Sequence, residues 1–464
     1  MFCVDREIAL SVRGSISPFV DPGLFEMWIF VREGKRRQDA LALLDDQIDA
    51  LGAQGPTAHE LDKAINQMEQ SIASAGKGEL FAEPLRARLR EAGMPESHAN
   101  LASRLETGPI AEALTRQLEE LRVERGVATS EPGISARPRG DEFYAWALRS
   151  STTTRMTPDE IHQQGLEELE ALHSRMDPIL REIGYTDGTV GERMQALGSD
   201  PRYMFAEGDA GREEIFEFIW DRINWIKSQM PRAFNTLVDP NLEVTRIPIA
   251  EEAGAPGAYG GAGSKDGTIP GRFWINLRST DLHRKYDLAD LAYHEAIPGH
   301  VWEGEYSNRL PLIRSILAFN PFSEGWALYG EQLADELGAY EDFKVGRLGY
   351  LQSLAFRACR MVVDTGLHAK GWSRERAVNF FVERNGSKPI EVRGEVDRYC
   401  SWPGQATGYK LGHSRIVDLR SRAEAELGAA YDFKAFNDAV VMGGNAPLNV
   451  LEANVERYIA SASQ

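Results

Sequence analysis

Cysteine is scarce in this chain: Cys3, Cys359 and Cys400 are the three among 464 residues. Their number and spacing exclude a disulfide framework and a thiolate zinc site, and point to a reducing compartment. Basic residues are outnumbered, with 52 Lys and Arg against 70 Asp and Glu and a formal charge of −18. No basic run is long enough to displace counterions from a phosphate backbone, so nucleic acid is excluded as a partner. Anionic membrane surfaces are disfavoured for the same reason. No window approaches 18 uncharged apolar residues, so no transmembrane helix is expected. Asp5, Arg6 and Glu7 precede any apolar stretch, so no secretory leader is read and a cytoplasmic protein without membrane contact is expected.

The rest of the composition is that of a globular chain long enough to bury a large core. Residues 1–130 read as an N-terminal helical region, with apolar positions recurring at Leu61, Ile65, Met68 and Ile72 and again at Leu114, Leu118 and Leu121. An apolar stretch from Ala40 through Ile48 and Leu51 belongs to the same reading. Residues 127–140, rich in Ser, Pro, Gly and Arg, read as a linker. Thr157-Pro158-Asp159-Glu160 is a capping box with proline at the first helical position, and its helix is expected to run to about residue 183. Helical patterning covers 213–230. Residues 244–249 are β-like, 254–271 hold seven glycines and two prolines and read as a long loop, and 272–277 read as a short strand. From there the chain is helical to its end, with breaks near Gly338, Gly371, Gly386 and Pro403. The expected fold is mainly α, a large helical body with a small β element in its middle.

The β element precedes a helix, Asp287 to Tyr293, that runs into His294-Glu295-Ala296-Ile297-Pro298-Gly299-His300. A His-Glu pair followed by a second His is how many zinc hydrolases present their ligands. Their usual spacing is four residues, which returns the second ring to within about 40° of the first. Here the spacing is six, and an unbroken helix would leave the rings about 120° apart. Pro298 removes a backbone donor and Gly299 tolerates unusual φ/ψ, so the helix is expected to widen or break there and bring His300 back toward His294. Glu324, 24 residues after His300 on a second helix, is the candidate third ligand, leaving one position for water. Glu303, one turn after His300, is the weaker alternative. Glu331, seven residues after Glu324 and on its face, is a candidate to orient a ligand histidine, with a solvated or ion-paired carboxylate as the plain alternative. Glu295 is expected to act as general base toward the attacking water and then to carry the proton to the leaving amine.

These segments resemble the bacterial family known as domain of unknown function 885, which is grouped with the gluzincin metallopeptidases. The resemblance rests on His294 to His300 and on Glu324-Gly325-Trp326-Ala327-Leu328-Tyr329. It is supported by Gly140 to Tyr144, Thr157 to His162, Asp266 to Gly271, Arg360 to His368 and Pro403-Gly404-Gln405-Ala406. It runs from about residue 137 to the C-terminus, and 137–464 is therefore read as the catalytic region. The resemblance implies a helical body with a deep cleft, Zn2+ at its floor, and an edge strand just before the metal helix, for which 272–277 is the candidate. A peptide would add to that edge by backbone hydrogen bonds.

An oxyanion needs donors. The resemblance implies a Tyr or His from the C-terminal part, and Arg398, Tyr399, Tyr409 and Lys410 lie in one segment there. Tyr409 is the first candidate and Tyr399 the second, against the plain reading of a core tyrosine. His368 reads as a hydrogen-bonded structural residue. The leading function is a zinc metallopeptidase, oligopeptidase or carboxypeptidase-like, acting on short peptides. The alternatives are a zinc amidohydrolase on a small amide or modified amino-acid conjugate, and a helical peptide-binding scaffold without catalysis. Oligomeric state is not encoded in any feature of the sequence.

Overall fold

The structure is a computed structural model, and it describes residues 9–17, 24–31, 58–126, 131–249, 252, 255–315 and 317–463. The chain divides into two compact units, Met1–Trp146 and Ala147–Gln464.

The first unit opens with an antiparallel pair, β1 (Ala9–Ser17) and β2 (Leu24–Val31). This corrects the all-helical reading of residues 1–130. Leu10, Val12 and Ile16 alternate with Ser11, Arg13 and Ser15 at period two, and β2 is dense in aromatic and β-branched residues, which is a strand pattern. The apolar stretch from Ala40 to Leu51 lies outside the described residues. Four helices follow: α1 (Ala58–Lys77), α2 (Ala82–Glu91), α3 (Ser97–Leu105) and α4 (Ala111–Arg125). The buried Glu106 accepts the backbone N–H groups of Leu80, Phe81 and Ala82 at 2.6, 3.1 and 2.8 Å, so its carboxylate caps α2 from a distance in sequence. Of the expected linker, residues 127–130 lie outside the described residues, and α5 (Gly140–Thr152) begins at its end.

The second unit is mainly α. α6 (Pro158–Glu182) starts on the Thr157–Glu160 capping box, both halves of which are formed. α7 (Val190–Leu197) and α8 (Gly208–Ala233) follow. Then comes a three-stranded sheet of β3 (Leu242–Arg246), β4 (Ala258–Gly261) and β5 (Gly271–Ile275), in the order β3-β5-β4, with β3 parallel and β4 antiparallel to β5. Two expectations are corrected here. The glycine-rich segment 254–271 is not all loop, because it contains β4. The strand read at 272–277 is not an edge, because β5 is central and β4 covers the side that was expected to be open. Gly260 and Gly261 hid β4 from the sequence, since glycine is depleted in strands; here they permit close backbone approach.

The remaining helices are α9 (Lys285–Glu295), α10 (His300–Asn308), α11 (Leu312–Ser315), α12 (Asn320–Glu336) and α13 (Lys344–Ala369). They are followed by α14 (Arg374–Asn385), α15 (Pro389–Ser401), α16 (Gly408–Leu427), α17 (Phe433–Val441) and α18 (Leu448–Ala462). Breaks fall beside Gly338, Gly371, Gly386 and Pro403 as the sequence reading has it. One continuous apolar core runs from Leu169 on α6 to Ile459 on α18, and α13 passes through its middle. α12 and α16 cross with backbones touching: a Cβ on Gly412 would lie 1.7 Å from the carbonyl oxygen of Pro321, and one on Gly325 would lie 2.5 Å from the carbonyl carbon of Gly412.

Candidate metal centre

α9 remains helical through His294 and Glu295 and then stops. Ala296 takes φ −104° and ψ −93°, the Ile297–Pro298 peptide is cis, and α10 begins afresh at His300. The break brings the two imidazoles to a centroid distance of 5.0 Å with their planes at 90°. Position 299 must be glycine, because a Cβ there would sit 1.7 Å from the carbonyl oxygen of His294. The indole N–H of Trp326 on α12 donates to the carbonyl oxygen of Pro298 at 2.9 Å and ties the kink to the helix that carries the third candidate ligand.

That candidate is Glu324, in the early part of α12. Its Oε2 lies 3.5 Å from Nε2 of His294 and 3.5 Å from Nε2 of His300. One ligand atom from each of the three residues lies within 4.8 Å of the other two. Ligands about 2.0–2.2 Å from a tetrahedral ion stand about 3.3–3.6 Å apart along each edge, which the two separations from Glu324 match. The three side chains are 4%, 15% and 20% exposed, which makes the group recessed yet open on the His300–Glu324 side. Glu303 is not part of the group. It is buried, accepts a hydrogen bond from Ser307 Oγ at 2.9 Å, and burial pushes its carboxyl up.

Behind the group, His294 Nδ1 donates to Glu331 Oε1 at 2.7 Å, and Glu331 Oε2 accepts from Ser353 Oγ of α13 at 2.9 Å. Nε2 of His294 is thereby left to face Glu324. Asp290, one turn before His294 on α9, lies against Glu331. Burial, and then the charge of Glu331, hold its carboxyl well above the usual range, and Tyr340 donates to it at 3.3 Å. Burial lowers the basicity of His294, but the carboxylates of Glu324 and Glu331 outweigh it and raise the imidazole to about 10. Three carboxylates, Glu295, Glu324 and Glu331, thus stand around the two imidazoles, a setting that favours a bound cation.

Glu295 is 7% exposed and lies beneath β4, where a Cβ on Gly260 would meet its Oε2 at 2.9 Å and its backbone oxygen at 2.4 Å. Glu295 is therefore close to the ligand histidines, whose basicity its charge raises. The two tyrosine candidates separate. Tyr399 is buried, donates to Glu395 Oε2 at 2.8 Å and accepts from Arg360 Nε at 3.0 Å, so its hydroxyl proton is committed away from the metal group. Tyr409 is half-buried on α16, one turn before Gly412 and hence beside the crossing that carries Glu324. Burial raises its phenol, and the charge of Glu324 raises it further. His368 is fully buried with Nε2 donating to the carbonyl oxygen of Tyr399 at 3.0 Å, the structural placement expected of it.

Sequence reasoning missed Asp290, Gly260 and Arg360. Asp290 stands four residues before His294, so the helical repeat alone placed it on the ligand face. Gly260 gave no signal without the sheet. Arg360 lay in a segment quoted for the resemblance, but nothing local marked it as polar core.

A mainly α body with two histidines and one glutamate converging on a common point defines a protein with a candidate site for a divalent metal. The chain belongs to the family described as "Bacterial protein of unknown function (DUF885)", which matches residues 35–455. It is similar to a solved structure described as the putative lipoprotein from Colwellia psychrerythraea, with 36% identity, 89% of this chain and 72% of that one covered, and a TM-score of 0.86. A second solved structure, described as a lipoprotein of unknown function from Shewanella oneidensis in the same provisional terms, shares 20% identity over 86% of this chain and 73% of that one. Its TM-score of 0.64 bears on the fold alone. No curated protein matches the chain. The cytoplasmic expectation is corrected by the 36%-identical relative, which is described as a lipoprotein in the terms just given, and charges near residue 1 do not determine a compartment. Among the described residues, no helix is long and apolar enough to cross a membrane.

Proposed function

We propose that this protein is a zinc-dependent peptidase acting on short peptides outside the cytoplasm, as an envelope or secreted protein. The observation that carries the reading is the convergence of His294, His300 and Glu324 next to Glu295. A divalent ion held by those three residues would polarise a water and the scissile carbonyl. Glu295 accepts the proton of the attacking water and passes it to the departing amine as the C–N bond breaks. Glu331 holds His294 in the tautomer that leaves Nε2 for the ion. Tyr409 is the donor toward the oxygen of the tetrahedral intermediate. β4, an edge strand with Gly260 against Glu295, is the element along which an extended peptide backbone lies.

The test combines elemental analysis of the purified protein with hydrolysis of peptide mixtures by the wild type and by Glu295→Gln. The reading expects about one equivalent of zinc in both proteins and peptide cleavage by the wild type alone. Zinc-loaded wild type that cleaves amide conjugates but no peptide would move the assignment to the amidohydrolase alternative. Cleavage at the wild-type rate by Glu295→Gln would remove the base.

A further inference from the structure

Near the metal group lies a second polar cluster, in which two guanidiniums share one carboxylate oxygen. Arg360 of α13 and Arg398 of α15 both point at a single carboxylate, Glu395. Arg360 Nη2 donates to Glu395 Oε2 at 2.9 Å and Arg398 Nη2 donates to the same oxygen at 3.1 Å. The Tyr399 hydroxyl donates to it as well, at 2.8 Å. Burial alone would raise the Glu395 carboxyl, but the two guanidiniums hold it well below the usual range, so it is charged. Both guanidiniums are charged at any accessible pH. Of the neighbouring acids, both oxygens of Asp397 pair with Arg374, and both oxygens of Asp364 take the N–H of Gly404.

Arg360 is 8% exposed, and its Nη1 is buried with no hydrogen-bond partner. Three other arginines have a lone buried nitrogen, Arg222, Arg314 and Arg357, but in each it is the inner Nε. Arg360 is the one that leaves a terminal nitrogen so among the described residues. A buried donor without an acceptor is costly and calls for an explanation. A ligand oxygen that arrives on binding is one, and a carboxylate oxygen would make a charge-assisted bond to Nη1, the nitrogen that Glu395 and Tyr399 leave over.

The cluster is joined to the metal group through Tyr409. The Arg360 guanidinium carbon lies 4.3 Å above the centre of the Tyr409 ring. Tyr409 is on the face of α16 that meets α12 at Gly325, the residue after Glu324. Asn320 on α12 and Gln405 close the same junction with two hydrogen bonds, at 2.9 and 3.0 Å, and the Gln405 side-chain oxygen accepts from Arg398. Tyr409 thus stands between the charge of Glu324 and the Arg360 guanidinium, and Arg398 reaches the same junction through Gln405.

We infer that Arg360, backed by Arg398, receives the terminal carboxylate of the bound substrate, so that the substrates are short peptides with a free C-terminus, cut close to that end. This rests on the peptidase reading above. Arg360 is then a specificity residue and takes no part in proton transfer.

Two matched tripeptide libraries test it, one ending in free carboxylates and one in carboxamides, incubated with the zinc-loaded wild type and followed by mass spectrometry. The expected result is cleavage of the acid library about 100-fold faster than of the amide library, because a site built around a charged partner rejects the analogue that lacks it. Equal rates overturn the inference. Arg360→Gln is expected to raise KM for the acid library far more than it lowers kcat and to abolish the preference, and Arg360→Lys to restore part of it. Should Arg360→Gln fail to fold, Arg398→Gln, at a more exposed position, is expected to cut the preference about tenfold. A folded variant at either position that keeps the full preference counts against it. If the wild type cleaves neither library, the peptidase reading fails, and retention on immobilised zinc-loaded protein then decides. Selective retention of the acid library supports the carboxylate site, and equal or no retention overturns it.

Discussion

Gly299 and His294 are in backbone contact across the kink, so close that a Cβ on Gly299 would lie 1.7 Å from the His294 carbonyl oxygen. No rotamer relieves such a clash, because both partners are main chain. Gly299→Ala must therefore reopen the break and move His300 away from His294. The expected outcome is a loss of zinc affinity of more than about 100-fold and a stability loss of about 3 kcal/mol or more. Competition with a chelator and a denaturant melt measure the two. An alanine variant that binds zinc normally would mean that the kink does not hold the ligands together.

Glu331 is the partner that fixes His294 from behind, at 2.7 Å through Nδ1. Replacing it with Gln keeps the shape and removes the charge that favours the proton on Nδ1. Zinc affinity is expected to fall about 10- to 100-fold with the fold intact, as is usual when the partner of a ligand histidine is lost. Titration with a fluorescent zinc chelator reads the change directly. Ser353→Ala, which removes only the hydrogen bond to the other oxygen of Glu331, is expected to have a smaller effect of the same sign.

Glu295→Gln separates chemistry from binding. The side chain lies near both histidines without belonging to the ligand group. Zinc content is expected to be unchanged, and peptide hydrolysis to fall by about 10² to 10⁴, the usual weight of a general base. Loss of zinc together with activity would instead make Glu295 a residue that holds the site together.

The parts of this arrangement legible in the sequence are those written in local spacing. The helix into His294, the Pro298–Gly299 break and the capping box at Thr157 all follow from helical period and backbone chemistry within a few residues. Glu324 was reached by asking which following helix could supply a third ligand, because its distance from His300 in the chain does not itself show that α12 returns beneath the kink. β4 was hidden because Gly260 and Gly261 read as loop, and their strand conformation is set by pairing with Phe273 and Arg272. The antiparallel pair β1–β2 carried a period-two signal that the helical pattern downstream overshadowed. The Arg360–Glu395–Arg398 cluster joins two helices separated by α14, so no window of sequence contains it.

Acid stability is set in part by two histidines far from the metal group. His283 Nε2 donates to the carbonyl oxygen of Asn276 at 2.7 Å, and His368 Nε2 donates to that of Tyr399 at 3.0 Å. Each is nearly or fully buried, and burial lowers each from 6.5 to about 4. The unfolded chain takes up protons at both positions as pH falls through 6.5, whereas the folded chain resists until about pH 4, so acidification across that window favours unfolding. The shift corresponds to at most about 3 kcal/mol per histidine, complete above pH 6.5 and lost by pH 4. Asp287 opposes this. Burial raises it from 3.8 to about 6, so the folded chain takes up its proton first and gains stability as pH falls from 6 to 3.8. The buried carboxyls of Asp290 and Glu303, also raised, act with Asp287, and the lowered His413 acts with the two histidines, so the share of His283 and His368 is read by comparing variants with the wild type across pH 7.5 to 4.5. Gln at position 283 or 368 keeps an N–H for the carbonyl but cannot be charged. Each variant is expected to melt lower than the wild type at pH 7.5 and to lose less on acidification. Parallel Tm curves for wild type and variants across the window would show that neither histidine carries the acid sensitivity.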